Sequence, residues 1–281
     1  MKILSHFRES MFRIAIAAGL AGLLSVPAAQ AERPFSLPSN AKQIAKDIYD
    51  LGTGMHNGEQ VRGIAFIHRQ DQAAKPDGVG GGKGGGKKDN GGSTCYAFIS
   101  NGAKWKTVEN YIVDSTNLSG MSQSEVETAI AAATGLWNNE VTGNIFGGQV
   151  AGTVDGVDLT TPLDDKNEVY FADINDPSID SNNIIAVTVT WGIFGGPPRN
   201  RRLVEWDQVY NEAFTFGDAG INTGIMDIAG IAAHEVGHAA GMGHPDSTCI
   251  DETMYAYAAN GETKKRDLNA GDISGIQELY K

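Results

Sequence analysis

The sequence predicts an α+β fold in which a β-sheet packs on helices. Three observations carry this reading. Candidate strands and one helix come first, further strands follow, and two helices close the chain. The segment Met121–Asn139 has an apolar face at helical spacing, whereas Asn183–Trp191 is a β-branched run of strand length. The chain has 281 residues and 41% hydrophobic content, enough to bury a sizeable core.

The first 31 residues stand apart. Lys2, Arg8 and Arg13 give a basic start, Ile14–Val26 is apolar but short for a membrane span, and Ala29-Gln30-Ala31 offers an A-x-A cleavage site. Residues 1–31 are therefore expected to be a secretory signal peptide. The product would be secreted, extracellular or retained in a periplasm, with no membrane attachment after cleavage. The whole chain has 22 basic and 34 acidic residues, net −12; without Lys2, Arg8, Arg13 and Glu9 it has 19 and 33, net −14. Such a surface repels phosphate backbones, so nucleic-acid binding is excluded as an expectation.

Residues 32–77 make a modest segment, read as an N-terminal pro-segment. Ala41–Gly52 has helical spacing at Ile44, Ile48 and Leu51, and Val61–His68 reads as a strand. Residues 78–93 are rich in Gly and Lys and lack apolar periodicity, which marks a linker. It reads equally as an exposed junction between pro-segment and mature enzyme or as a tether. Residues 94–281 form the remaining domain.

Ser93–Trp105 and Glu109–Asp114 suggest short strands. In Met121–Asn139, Ser122 and Glu125 have capping-box spacing, and Val126, Ile130, Ala133 and Trp137 line one face. Asn167–Asp173, Asn183–Trp191 and Arg202–Tyr210 are strand candidates. Leu268–Tyr280 is a short helix with Ile273, Ile276 and Tyr280 on one side. The two cysteines, Cys95 and Cys249, allow one intramolecular bond, which export permits; a Cys95–Cys249 disulfide is expected, contributing ~3–5 kcal/mol by loop closure. Two free thiols are the alternative.

The chemistry concentrates in HEVGHAAGMGH, His234 to His244. Residues four apart share a helix face, so His234 and His238 can aim at one point, with Glu235 beside them. Two histidines binding zinc and a glutamate acting as general base is the chemistry of this spacing. Gly241 can end the helix in a left-handed turn that returns His244 as a third ligand. Three histidines leave an open position, as catalytic zinc requires. Met254 follows ten residues after His244, completing the H-E-x-x-H-x-x-G-x-x-H pattern with a Met-turn.

In these motifs and in DISGIQELY, Asp272 to Tyr280, the chain resembles the metzincin zinc endopeptidases, nearest the matrixins and their secreted microbial relatives, over roughly Cys95 to Lys281. The resemblance implies a zincin-like metzincin fold, with a twisted mixed sheet above the active-site helix, a second long helix, and a C-terminal helix after the Met-turn. It implies one catalytic zinc on His234, His238 and His244, Glu235 as base, and Met254 as a floor beneath the metal. Ala186–Trp191 would be the edge strand that pairs with an extended substrate. The expected partner is a protein or peptide substrate, and the enzyme is expected to act as a monomer. The alternative is a catalytically inactive secreted zinc-binding or adhesion protein on the same fold. A second histidine-bound zinc is not expected, since His6, His56 and His68 all precede the linker. The Pro-Arg-Cys-Gly latency motif of the animal family is absent. Calcium is compatible with the resemblance and with acidic stretches such as Asp173–Asp180, but no ligands are assigned.

Overall fold

A computed structural model describes residues 34–71 and 94–281. The expected signal peptide, residues 1–31, and the linker, 78–93, lie outside the described residues.

The strands are β1 (Lys42–Ala45), β2 (Ile48–His56), β3 (Glu59–Gln70), β4 (Ala97–Phe98), β5 (Glu109–Val113), β6 (Phe146–Gln149), β7 (Glu168–Ala172), β8 (Ile184–Ile193), β9 (Arg202–Asn211), β10 (Phe216–Gly217), β11 (Met226–Asp227), β12 (Met242–Gly243) and β13 (Tyr257–Ala258). The helices are α1 (Gln123–Asn139), α2 (Ile228–Ala239) and α3 (Ala270–Leu279). The main sheet is mixed, in the order β1-β2-β3-β8-β9-β7-β5-β6, with β13 beside β3. Strands β9, β7, β5 and β6 run parallel to one another, while β8 is antiparallel to β9 and to β3. This is the α+β fold the sequence predicts.

Alternation along β8 builds two cores. Val187, Val189 and Trp191 join an upper cluster with Leu51, Val61, Ala65, Ile67 and Val209. The lower cluster joins the sheet to the helices through Val126, Ile130, Trp137, Trp206, Tyr210, Ile231, Val236 and Met254. Helix α1 begins with the expected capping box, and Val126, Ile130, Ala133 and Trp137 are buried as predicted.

Two expectations fail here. Ala41–Gly52 is not a helix but most of β1 and β2. Asp47 has φ +59° and Gly52 φ +100°, which breaks any helix, and the backbone of β2 instead pairs with β3 from His56↔Glu59 to Ile48↔Phe66. Nor is β8 an edge strand: β3 covers it over eight residue pairs, from Arg62↔Gly192 to Arg69↔Ile184. Strands β1 to β3 thus belong to the same sheet as the rest of the domain.

Cys95 and Cys249 form the expected disulfide, closing a loop with a sequence separation of 154. Replacing both by Ser should lower unfolding free energy by about 3 kcal/mol, read as a lower urea midpoint with a steeper slope, because the denatured chain expands.

Candidate metal centre

Helix α2 is held at both ends. Asp227 caps it by accepting from the Gly230 N–H at 2.9 Å, and Arg266 Nε donates to the same carboxylate at 2.9 Å. At the other end, Trp105 Nε1 donates to the Ala239 carbonyl and the Tyr280 hydroxyl to that of Ala240, at 2.8 and 2.9 Å. These donors satisfy carbonyls that a helix end leaves unpaired. Gly241, at φ +103°, then reverses the chain, and an added Cβ would stand 2.9 Å from the Ala103 carbonyl oxygen. Beyond it β12 pairs with β4, bringing His244 back to the helix.

The three histidines meet at one point. His244 Nε2 lies 3.2 Å from His234 Nε2 and 3.1 Å from His238 Nε2. His234 donates its Nδ1–H to the Thr253 carbonyl at 2.7 Å, and His238 donates its Nδ1–H to the Met242 carbonyl at 2.9 Å. Both Nε2 atoms therefore present lone pairs, and His244 can donate to only one of them. Burial holds His234 and His244 well below the ordinary imidazole range and His238 at about 4, so the rings are neutral near pH 7. Around a tetrahedral zinc with bonds of ~2.05 Å, ligand nitrogens stand about 3.3 Å apart. Converging lone pairs at nearly that spacing fit a zinc ion.

Glu235 is fully buried beside them. Its Oε2 accepts from Thr188 Oγ1 at 2.6 Å, and His68 Nδ1 lies 2.8 Å from Oε1. Burial raises its carboxyl to about 7, against the lowering influence of His238 and the Thr188 hydrogen bond. Met254 is buried under the helix in contact range of Gly237. Asp272 fixes that turn: its carboxylate accepts from the backbone N–H groups of Thr253 and Met254 at 2.7 and 3.1 Å while closing the capping box of α3. The residues of DISGIQELY therefore bind the Met-turn to the last helix.

Sequence reasoning missed three members. Thr188 faces the helix from the centre of β8. Lys265, fully buried, donates to the Thr253 and Tyr255 carbonyls at 2.8 and 2.5 Å and so steadies the acceptor of His234; burial lowers its amine to about 7. His68 comes from β3, its ring stacked 3.8 Å from that of His234. Its only signal was alternation with Phe66 at the end of the apolar run Ile64–Ile67. The acidic stretch Asp173–Asp180 forms no carboxylate cluster suited to a cation among the described residues; such clusters lie instead at Asp155, Asp164 and Glu168 and at Asp158, Asp164 and Glu205.

Two histidines on a helix beneath a mixed sheet, met by a third from the turn beyond it, define a zincin-like α+β domain. Residues 162–281 match the family model described as matrixin. Metalloendoproteinase 4-MMP of Arabidopsis thaliana is 35% identical over 83 residues, 30% of this chain and 23% of that protein. Metalloendoproteinase 2-MMP of the same plant is 40% identical over 58 residues, 21% of this chain and 15% of the relative. Human matrilysin is 45% identical over 49 residues, 17% of this chain and 18% of the relative. These matches support the matrixin family, and they cover between 15% and 23% of the relatives' lengths.

Proposed function

We propose that this chain is a secreted zinc-dependent endopeptidase of the matrixin type. The observation that carries the reading is the convergence of three neutral Nε2 atoms beside a buried carboxylate that is not one of the three ligands. His234, His238 and His244 would hold one zinc, which when bound polarises the scissile carbonyl and acidifies water. Glu235 accepts the proton of the attacking water and returns it to the leaving amine. Thr188 keeps one carboxylate oxygen in place. Lys265 and Asp272 hold the Met-turn, whose Met254 packs under α2. The substrate is an extended protein or peptide segment, and the enzyme acts as a monomer.

Residues 1–31 direct export, 32–77 are the pro-segment, 78–93 the linker, and 94–281 the catalytic domain. The test is casein hydrolysis by the zinc-loaded protein, both intact and cut within 78–93. Activity should vanish with 1,10-phenanthroline and return with added zinc. A chain that binds one zinc and cleaves no protein in either form would be an inactive binding protein on this fold.

A further inference from the structure

We propose that β3 is an internal occupant of the peptide-binding edge: Glu59–Gln70 lies where an extended substrate would pair with β8, and His68 engages Glu235, so the intact chain is latent. The inference rests on the peptidase reading above. One edge of β8 is taken by β9 and the other by β3, which leaves no free edge of that strand for a substrate. Phe66 and His68, two residues apart, project from one face of β3 toward the metal centre. The Phe66 ring stacks on His238 at 4.2 Å and 16°, and the His68 ring on His234 at 3.8 Å and 28°. With His68 on Oε1 and Thr188 on Oε2, each oxygen of the base already has a partner.

The seat is not optimised for stability alone. His68 Nε2 is buried with no hydrogen-bond partner, a cost that release of the strand would remove. The strand is nevertheless held firmly, because Val61, Ala65 and Ile67 share the upper core with Val187, Val189 and Trp191. Covalently it is separable. The disulfide joins Cys95 to Cys249, both beyond the linker, so a cut within 78–93 leaves the first segment tied by noncovalent contacts only.

The experiment inserts a unique site-specific protease sequence within 78–93 of the full chain and loads it with zinc. Binding of a fluorescent peptide hydroxamate is then measured before and after cutting. The intact chain should bind the probe at least 100-fold more weakly than the cut chain after its N-terminal piece has separated on gel filtration. Amides of Thr188 and Thr190, which face Phe66 and Ile64 of β3, should lose exchange protection in step. A synthetic peptide of Glu59–Gln70 should compete with the probe, and its His68→Ala version at least tenfold more weakly. Equal probe binding by the intact chain, a piece that cannot be separated, or a strand-free chain that unfolds would each overturn the proposal. A strand-free chain that binds the probe but leaves casein intact would uphold the occlusion and sink the peptidase reading.

Discussion

Glu235→Gln is expected to lower kcat/KM on casein by at least about 10³, roughly 4 kcal/mol of barrier, in whichever form of the chain turns over. The amide keeps the shape of the side chain and its Thr188 contact but cannot take a proton. Because the three imidazoles meet without Glu235, zinc content should stay at one per chain. That pairing of lost turnover with retained metal separates a base from a ligand. His234→Ala should lose both together. A Glu235→Gln enzyme that cleaves at the native rate would remove Glu235 from the mechanism.

The site was legible because its parts are local. His234, Glu235, His238, Gly241 and His244 fall within eleven residues, and helix periodicity alone brings the first three together. The face of α1 was equally plain, since Val126, Ile130, Ala133 and Trp137 repeat at helical intervals. What failed was long-range. Ile44, Ile48 and Leu51 have helical spacing, yet strand ladders, β1 on β2 and β2 on β3, decided their backbone, and Ile44 ended 51% exposed. His68 and Glu235 are 167 residues apart, and no periodicity announces such a contact. The edge-strand expectation failed for the same reason. β8 reads as a substrate-binding strand, and only pairing across the fold reveals that the chain itself fills the position. Glu205 and Asp158 likewise meet through loop closure rather than spacing.

Trp137→Ala carries the largest expected effect on stability. Trp137 is fully buried between α1 and α2, and its indole N–H donates to the Ala233 carbonyl at 2.9 Å. Truncation leaves a large cavity, at ~3–5 kcal/mol, and removes a donor from a buried carbonyl. About 5 kcal/mol is expected in all, a fall in Tm of roughly 10–20 °C for a domain of this size. The same ring explains why Gly237 lies in the last turn of α2, where alanine would normally be the better helix former. A Cβ at Gly237 would come 2.6 Å from Trp137 Cζ2 and 2.2 Å from Met254 Sδ. Gly237→Ala should therefore destabilise by about 2 kcal/mol despite the gain in propensity, and should weaken zinc binding by displacing Met254. The two changes should not add: the space vacated by Trp137 receives part of the strain, so the double variant should be more stable than the sum of the singles by about 1 kcal/mol or more. Additive values in a urea-melt cycle would mean that Gly237 is not the point where α1, α2 and the Met-turn close on one another.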